Sequence, residues 1–413
     1  MAYHKLLVIG AGIGQIPIIN KAKAKSIHVT VVTQKGNCPG AVFADDVWYL
    51  DIYDREAIVE RAKRERITAV ISDQNDLMMP TVAYVAEKLG LPGNKFDQVM
   101  SYCNKNNYRE NCDKLGIPVP RHIAVNDVNH DFSAFDCPLP WIVKPADSQS
   151  SVGVKRIDKI EELKPALEFA LEHSKTHSAI VEEFFFGKEI VCEGFIDNGK
   201  YHLLSFADRK YFKSDEVLIP SQTLFPSLVK QNMLDKVVDY ESRMAEYIGI
   251  SFAIVHSEYL VNEESNEIRV VESAVRGGGV YISSHLIPYA TGIDINDLLL
   301  DKALGIDVNI DEVFSNKKDN AAGYVCFYLP EGVIESISGI EEVEQLPFVK
   351  MACLDGIEVG QKTEKLLHKG MRKGPLLVVG ENRNELETNI IKLQNTLEIC
   401  VKNKNKELEI LWG

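Results

Sequence analysis

Two predicted β-hairpins each place a pair of carboxylates face to face. In the hairpin from Ser251 to Ser273, a turn at 262–266 puts Glu258 opposite Glu272, and the residues beside both acids are apolar. Buried carboxylates must be paired with a cation or hold a metal, and Mg²⁺ takes one or two carboxylates together with phosphate oxygens. The hairpin predicts either a Mg²⁺ site or one acid bonded to Arg276 beside a solvated one.

The earlier hairpin is marked by Asn198-Gly199, a strong two-residue turn signal between two apolar runs. Pairing across this turn places Glu189 opposite Asp208, provided that no bulge intervenes. Two carboxylates directly opposite each other repel. We therefore expect both to reach solvent, or a cation or a ribose hydroxyl to lie between them.

Basic residues next to runs of small residues could bind an anion. Lys144 lies near the end of a strand at 141–145, and a loop of small polar residues follows at 147–153. The amides of such a loop can bind phosphates, although an isolated loop of this kind is more often structural. Arg276 precedes three glycines, which offer open backbone beside a fixed charge. By itself this run is more typical of a flexible exit into a helix at 280–289.

Two further segments complete the set of candidate residues. Lys105 opens a helical segment that continues to Leu115, and the segment at 180–189 begins as an apolar strand and leaves into an aromatic connector. Backbone groups of such a connector could face a flat ring, or its aromatic side chains could be ordinary core.

The first 100 residues alternate between strands and helices, which indicates a parallel sheet covered by helices. A glycine-rich turn at 10–14 follows the first strand. Gln15 occupies the place of the last glycine of a dinucleotide fingerprint, and the second strand ends at Thr33 rather than at an acid. A nicotinamide cofactor, and hence a dehydrogenase, is therefore not expected.

The composition is that of a globular chain, with 45% hydrophobic and 26% charged residues. Lys and Arg number 46 and Asp and Glu 60, so the net charge of −14 argues against a broad nucleic-acid surface. We expect no membrane span, no signal peptide and a cytoplasmic location. The eight cysteines form no C-x-x-C pair, so reduced thiols are expected rather than a zinc site.

Three polar residues have competing interpretations. His256 shares a strand face with Glu258, and we interpret it as a packed histidine behind that acid rather than a metal ligand. Asp73 and Asn75 follow a parallel strand, where such folds bind ligands. An N-cap is the more typical role for either residue.

The order of these motifs resembles that of the ATP-grasp superfamily, which includes biotin carboxylase, D-alanine–D-alanine ligase and L-amino-acid ligases. The resemblance covers nearly the whole chain. It implies an α/β and α+β multidomain protein with a Rossmann-like (preATP-grasp) domain at 1–100, an ATP-grasp domain at 101–305 with a small lid at about 120–185, and a C-terminal α+β domain at 306–413.

The resemblance also implies roles for individual residues, with ATP and one or two Mg²⁺ ions (or Mn²⁺) as cofactors. The nucleotide would be bound by Lys105, Lys144, Ser150, Ser151, Gly153, Glu182, Glu183, Phe184, Phe185 and Glu189. The metal would be held by Glu258 and Glu272, and the catalytic cations would be Arg276 and Lys144. The substrate would be contacted by Asp208, Arg209, Lys210, Arg276, Gly278 and His285. Whether Arg209 or Lys210 reaches phosphate is left open.

The sequence departs from the family pattern at Ala274, where many members carry an asparagine two residues after the second metal glutamate. One ligand of the second Mg²⁺ is then missing or replaced by water. This change is more typical of the amino-acid-ligase branch than of biotin carboxylase.

The resemblance implies a ligase that joins a small-molecule carboxylate to an amine through an acyl phosphate, and related ligases suggest a homodimer. The first alternative is a purine-pathway ligase or carboxylating enzyme acting on a phosphoribosyl amine, for which Arg209, Lys210 and Lys213 are candidate cations. The second alternative is an ATP-binding module without catalysis.

Overall fold

A computed structural model gives the structure of the chain over residues 4–148, 152–213, 219–366, 368–404 and 406–413. Ser150 and Ser151, two predicted nucleotide-binding residues, lie outside the described residues. No described helix combines the length and the apolar character that a bilayer-spanning segment needs.

The described strands, in chain order, are β1 (Lys5–Ile9), β2 (His28–Thr33), β3 (Asp46–Tyr49), β4 (Ala69–Ile71), β5 (His122–Val125), β6 (Trp141–Pro145), β7 (Lys155–Ile157), β8 (Ala179–Glu183), β9 (Lys188–Asp197), β10 (Lys200–Tyr211), β11 (Pro220–Phe225), β12 (Phe252–Asn262), β13 (Glu267–Ala274), β14 (Ala321–Tyr328), β15 (Gly332–Ser338), β16 (Val349–Ala352), β17 (Lys362–Thr363), β18 (Lys373–Gly380), β19 (Glu398–Asn403), β20 (Lys406–Leu408) and β21 (Leu411–Trp412).

The described α-helices are α1 (Ile16–Ala24), α2 (Arg55–Glu65), α3 (Met79–Leu89), α4 (Phe96–Cys103), α5 (Lys105–Leu115), α6 (Leu163–Glu172), α7 (Gln231–Ile248), α8 (Ile287–Thr291), α9 (Ile295–Ala303), α10 (Ile310–Ser315), α11 (Ile340–Gln345) and α12 (Arg383–Thr396).

The N-terminal unit is a parallel sheet with strand order β3-β2-β1-β4. Its central strands are apolar and almost fully buried, as expected for a parallel sheet covered on both faces. The sequence predicted β1, β2 and β4 but not β3. In β3 only Trp48 is buried, so the strand carries too weak a hydrophobic pattern to be read from the sequence.

A separate four-stranded antiparallel sheet, with order β5-β8-β6-β7, lies within the predicted lid. Helix α6 covers it with an apolar face of leucine and alanine side chains. Strands β6 and β8 pair with Lys144 opposite Ile180 and with Glu182 opposite Ile142. The lid sheet thus brings the two polar residues to the same region.

The largest sheet of the described residues has nine strands, with the path β13-β12-β9-β10-β11-β14-β18-β16 and β21 paired to β14. The pairing of β11 with β14 joins the middle of the chain to its C-terminal part. The sheet therefore crosses the predicted boundary near residue 305, and the C-terminal part extends the central sheet.

The predicted pairing of Glu189 with Asp208 is wrong. Near the turn, β9 and β10 pair as predicted, with Leu203 opposite Gly194, but the register shifts by one residue at Leu204. Beyond this β-bulge Asp208 lies opposite Ile190. A one-residue shift moves every following side chain to the other face of the strand, so Asp208 faces away from Glu189.

The predicted pairing of Glu258 with Glu272 is confirmed, although the register at the turn differs from the predicted one. Asn262 pairs with Glu267 at the turn, one residue out of the predicted register, and a bulge at Val271 restores that register. The two carboxylates therefore lie directly opposite each other on β12 and β13.

Candidate active site

A cleft of about 960 Å³ lies between the lid sheet, the connector after β8, the largest sheet and the segment before β18. This volume is at the upper end of the range of about 300–1,000 Å³ for small-molecule sites. Its described lining includes the basic residues Lys105, Lys144, Lys188, Arg209, Lys210, Arg276, Lys369 and Arg372. Its acidic residues are Asp76, Glu182, Glu183, Glu189, Glu258 and Glu272. The cleft thus has more basic than acidic residues, although the chain is acidic overall.

Both acids of the facing pair line this cleft, and each has a basic neighbour. Glu258 binds Arg209, and its Oε1 lies 3.3 Å from His256 Nε2. Glu272 Oε1 lies 3.3 Å from Lys105 Nζ. Burial tends to raise the pKa of Glu258, but the Arg209 guanidinium outweighs it and holds this pKa well below its usual range. The predicted alternative, in which Arg276 bonds one of the acids, does not occur.

The donor set at this point suits Mg²⁺ that also binds phosphate. Among the described residues, no group of three or more His, Cys, Asp or Glu side chains is arranged to hold a metal. Mg²⁺ does not need such a group, because it takes one or two carboxylates and completes its octahedron with phosphate oxygens and water. Glu258 and Glu272 supply those two carboxylates, whereas Ala274 is buried and offers no oxygen. The pair fits a Mg²⁺ ion bound jointly with a nucleotide.

His256 lies behind Glu258, as predicted. Its Nδ1 binds Glu193, which is fully buried, and its pKa is raised because the Glu193 carboxylate outweighs the effect of burial. Gly278, a predicted substrate contact, lies over this pair rather than in the cleft lining. A Cβ atom at Gly278 would come within 2.5 Å of Glu193 Oε1, so the position requires glycine.

Lys144 and Glu182 belong to a buried group of charges that the sequence did not reveal. Lys144 Nζ lies 2.5 Å from Glu182 Oε2, and Arg109 Nε lies 2.8 Å from Glu182 Oε1. Burial acts to raise the pKa of Glu182, but the two cations outweigh it and lower that pKa to about 2. Both oxygens of Glu182 are therefore occupied by cations. Arg109 lies one turn after Lys105 on α5, a spacing that could have identified it.

Lys105 contacts both the start of the loop after β6 and the hairpin formed by β12 and β13. Its Nζ donates a hydrogen bond to the Ser148 carbonyl at 2.7 Å and also approaches Glu272. Gly153, at the end of the same loop, has φ +79°, and a Cβ there would come within 2.5 Å of Pro145. The glycine therefore allows the backbone at residue 153 to pack against the end of β6.

The connector after β8 forms an aromatic wall of the cleft. The amides of Glu183 and Phe184 donate to Arg121 and Pro140 carbonyls, while the amides of Phe185 and Phe186 have no acceptor among the described residues. The Phe184 and Phe186 rings meet edge to face, with centroids 4.9 Å apart. Free amides beside aromatic rings are suited to a flat heterocycle.

Glu189, next in the chain, lies beside Arg209 rather than Asp208. Arg209 Nη1 donates to Glu189 Oε1 at 2.7 Å, and Tyr211 donates to the other oxygen. Burial raises the pKa of Glu189 even though Arg209 opposes this effect. Arg209 thus bridges Glu189 and Glu258, while Lys210 is exposed in the cleft lining.

Besides Gly278, two further predicted substrate contacts lie outside the cleft lining. Asp208 binds Arg383 at 2.9 Å and accepts a hydrogen bond from Ser227 at 2.5 Å, because the bulge in β10 turns it to the other face. His285 lies in a π-helical turn over 282–286, where its Nδ1 lies 2.8 Å from Ser284 Oγ. The structure therefore does not bring these two residues into the cleft lining, and their role as substrate contacts stays a prediction.

The N-terminal unit contributes acids that the sequence left ambiguous. Asp76, which the sequence did not single out, binds Arg276 through both carboxylate oxygens. Asp73 accepts from the Gly277 amide at 2.9 Å and from Ser283 at 2.9 Å, so it is not an N-cap. Asn75 is the N-cap of the short helical turn that follows it, and its side chain accepts a hydrogen bond from the Leu77 amide.

The C-terminal part also reaches the cleft, through Lys369 and Arg372. No sequence motif identified these residues, because the cleft acquires them only through the pairing of β18 with β14 in the largest sheet.

Comparison with known proteins gives a domain-family match and similar sequences. Residues 137–284 match the ATP-grasp domain family. The alanine–anticapsin ligase of Bacillus subtilis is 24% identical over 275 residues, which are 60% of this chain and 57% of the relative. The match therefore spans just over half of that relative's length.

Two solved structures share the fold over almost the whole chain. The L-amino acid ligase from Bacillus licheniformis has a TM-score of 0.80 at 23% identity and covers 97% of this chain and 99% of its own. Phosphoribosylglycinamide synthetase from Anaerococcus prevotii has a TM-score of 0.75 at 20% identity, with 97% and 100% covered. Residues 137–284 thus match the ATP-grasp domain, and almost the whole chain has the fold of these two solved structures.

Proposed function

We propose that this chain is an ATP-dependent carboxylate–amine ligase that forms an amide or peptide bond and releases ADP and phosphate. An amino acid or a similar small molecule would be one substrate. The observation that carries the proposal is the facing pair Glu258 and Glu272, which lies in one cleft with Lys105, Lys144 and Arg276. This set can bind a polyphosphate and its metal ion at one end of the cleft. At the other end it presents a fixed cation, Arg276.

The proposed reaction has two steps. A carboxylate oxygen of the substrate attacks the γ-phosphorus of ATP, the bond to ADP breaks, and an acyl phosphate forms. An amine then attacks the acyl carbon, the bond to the phosphate breaks, and the amine loses a proton to solvent. Phosphoryl transfer of this kind needs positioning and charge stabilisation rather than a side-chain nucleophile.

The proposed role of each residue follows from its position in the cleft. Lys105 and Lys144 would contact the nucleotide phosphates, and the connector at 183–186 would hold the adenine ring. Mg²⁺, held by Glu258 and Glu272, would supply neutralisation of phosphate charge when bound. Arg276, fixed by its two bonds to Asp76, would stabilise the acyl phosphate.

Trapping the acyl phosphate tests the proposal. Purified chain is incubated with Mg·ATP, hydroxylamine and a panel of carboxylates that includes the common amino acids, and ADP and hydroxamate are measured. We expect at least one carboxylate to give both products in equal amounts. Tight ATP binding without ADP release across a broad panel of carboxylates and amines would instead support a non-catalytic ATP-binding module.

A ligase or carboxylating enzyme that acts on a phosphoribosyl amine is the second candidate. Basic side chains that line the cleft without an acidic partner favour it, because they could bind a sugar phosphate. Protection against thermal unfolding by phosphoribosyl amines, but not by amino acids, would select this alternative. The homodimer and the cytoplasmic location stay predictions from the sequence.

A further inference from the structure

The acidic side chains that line the cleft all have a hydrogen-bond or ion-pair partner, whereas several of the basic ones have no acidic partner among the residues that the structure describes. Every acidic lining residue already has a partner: Asp76 binds Arg276, Glu182 binds Lys144 and Arg109, Glu189 and Glu258 bind Arg209, Glu272 approaches Lys105, and Glu183 accepts from the Arg121 amide. Of the basic lining residues, Lys188 pairs with Glu263 outside the lining. Within the described part of the chain, Lys210, Lys369 and Arg372 are left without an acid.

Two of these residues, Lys369 and Arg372, come from the same short segment of the C-terminal part. Arg372 is held in place by a hydrogen bond from its Nη1 to the Pro220 carbonyl at 2.7 Å. Its guanidinium also lies over the Tyr324 ring, 5.8 Å from the centroid, within cation–π range. A guanidinium has five N–H donors, so this arrangement leaves several of them for a ligand.

Lys369 is exposed and has no hydrogen-bond acceptor among the described residues. Although its side chain is accessible, the cleft walls displace part of its hydration and so lower its pKa, and the like charges of Arg372, Arg276 and Arg209 lower it further, while Glu258 opposes them. Positive charges that converge in a cleft without an acid are stabilised when an anion binds between them.

We propose that Lys369 and Arg372 form a subsite for a second anionic group of the substrate, a carboxylate or a phosphate distinct from the carboxylate that is activated. This inference rests on the proposed ligase function and narrows its substrate class. The anion could be carried by the molecule that is activated, as in a dicarboxylate, or by the amine, as in an amino acid or a sugar phosphate.

Equilibrium binding to the full chain tests the subsite without requiring turnover. In saturating Mg·ADP, affinities are measured by calorimetry for matched pairs: succinate against succinamate, and L-alanine against L-alaninamide. Inorganic phosphate is titrated both with and without nucleotide, as the probe for a phosphate group. The preferred pair shows whether the anion belongs to the activated acid or to the amine.

The variant is K369Q/R372Q, with K369Q alone as a milder change at an exposed side chain. The matched control, K350Q/K362Q, removes the same charge from exposed positions of the C-terminal part that do not line the cleft. We expect the wild type to prefer at least one anionic probe over its neutral counterpart. The double variant should weaken that probe roughly tenfold, as for the loss of a charged hydrogen bond, and keep its ADP affinity within about twofold.

Three results would overturn the inference. The wild type could bind every probe and its neutral counterpart equally, the variants could leave all anion affinities unchanged, or the loss could fall on ADP, in which case the two cations bind the nucleotide phosphates. The absence of any Mg·ADP binding would instead contradict the proposed function. The nucleotide-free phosphate titration would still decide whether Lys369 and Arg372 bind an anion.

Discussion

Arg276 and Asp76, 200 residues apart in the chain, form a two-fold hydrogen-bonded ion pair. Arg276 Nε and Nη2 donate to the two carboxylate oxygens of Asp76 at 3.0 and 2.9 Å. A bidentate pair fixes the plane of the guanidinium as well as its position. The N-terminal unit therefore orients the Arg276 cation in the cleft, and Asp73 holds the adjoining backbone at Gly277.

Asp76→Asn should reduce turnover without weakening nucleotide binding. The amide keeps the shape of Asp76 but cannot accept both guanidinium hydrogen bonds, so Arg276 loses its fixed orientation. We expect kcat for ADP release to fall roughly tenfold or more, and ADP affinity to stay within about twofold. Asp319→Asn, at an exposed site, is the control. Wild-type kcat in D76N, or an equal loss of ADP affinity, would argue against this positioning role.

Glu258→Gln and Glu272→Gln should uncouple nucleotide binding from Mg²⁺. The wild type is expected to bind ADP more tightly with Mg²⁺ than with a chelator, because the two carboxylates hold the ion. Each variant should reduce the ratio of the ADP affinity with Mg²⁺ to the ADP affinity with a chelator by roughly tenfold, which corresponds to about 1.4 kcal/mol. Glu267→Gln, on the same hairpin but paired with Arg269, is the control. An unchanged ratio in both variants would show that the metal binds elsewhere.

Glu182→Gln should destabilise the chain because it leaves Lys144 and Arg109 without their shared carboxylate. Breaking a buried ion pair by removing one partner costs about 3–5 kcal/mol. We expect a loss of this size in the free energy of unfolding at pH 7, measured with urea. Glu183→Gln, whose carboxylate accepts only from the Arg121 amide, should cost less than about 1 kcal/mol.

The same variant predicts a pH dependence with a definite sign. The pKa of Glu182 is lowered from 4.5 to about 2, so its stabilisation is present above pH 4.5 and is lost as the pH falls toward 2. The stability difference between the wild type and E182Q should therefore shrink between pH 4.5 and 2. A constant difference over this range would contradict the lowered pKa.

Glu241→Gln should show the opposite dependence on pH. Glu241 is buried, and burial raises its pKa although the Tyr259 hydroxyl donates to its carboxylate at 2.5 Å. Its contribution to stability is full below the unfolded-state value of 4.5 and decreases as the pH rises through the folded-state pKa. Urea unfolding should therefore show E241Q gaining stability relative to the wild type as the pH rises above 4.5. A relative loss over that range would refute the raised pKa.

The sequence by itself determined the elements and motifs whose signals are local. The alternation of strands and helices predicted the parallel N-terminal sheet, and the hairpin pattern predicted that Glu258 faces Glu272. Lys105 and Lys144 were found for the same reason, since each lies at the boundary of an element that hydrophobic periodicity marks.

Only the tertiary structure decided which charges meet. The bulge at Leu204 exchanged Asp208 for Arg209 as the partner of Glu189, because one unpaired residue reverses the facing of every side chain after it. Asp76 and Lys369 reach the cleft from elements distant in the chain, and no local pattern records such contacts. An ion pair depends on a separation of a few ångströms in space, which spacing along the chain does not fix.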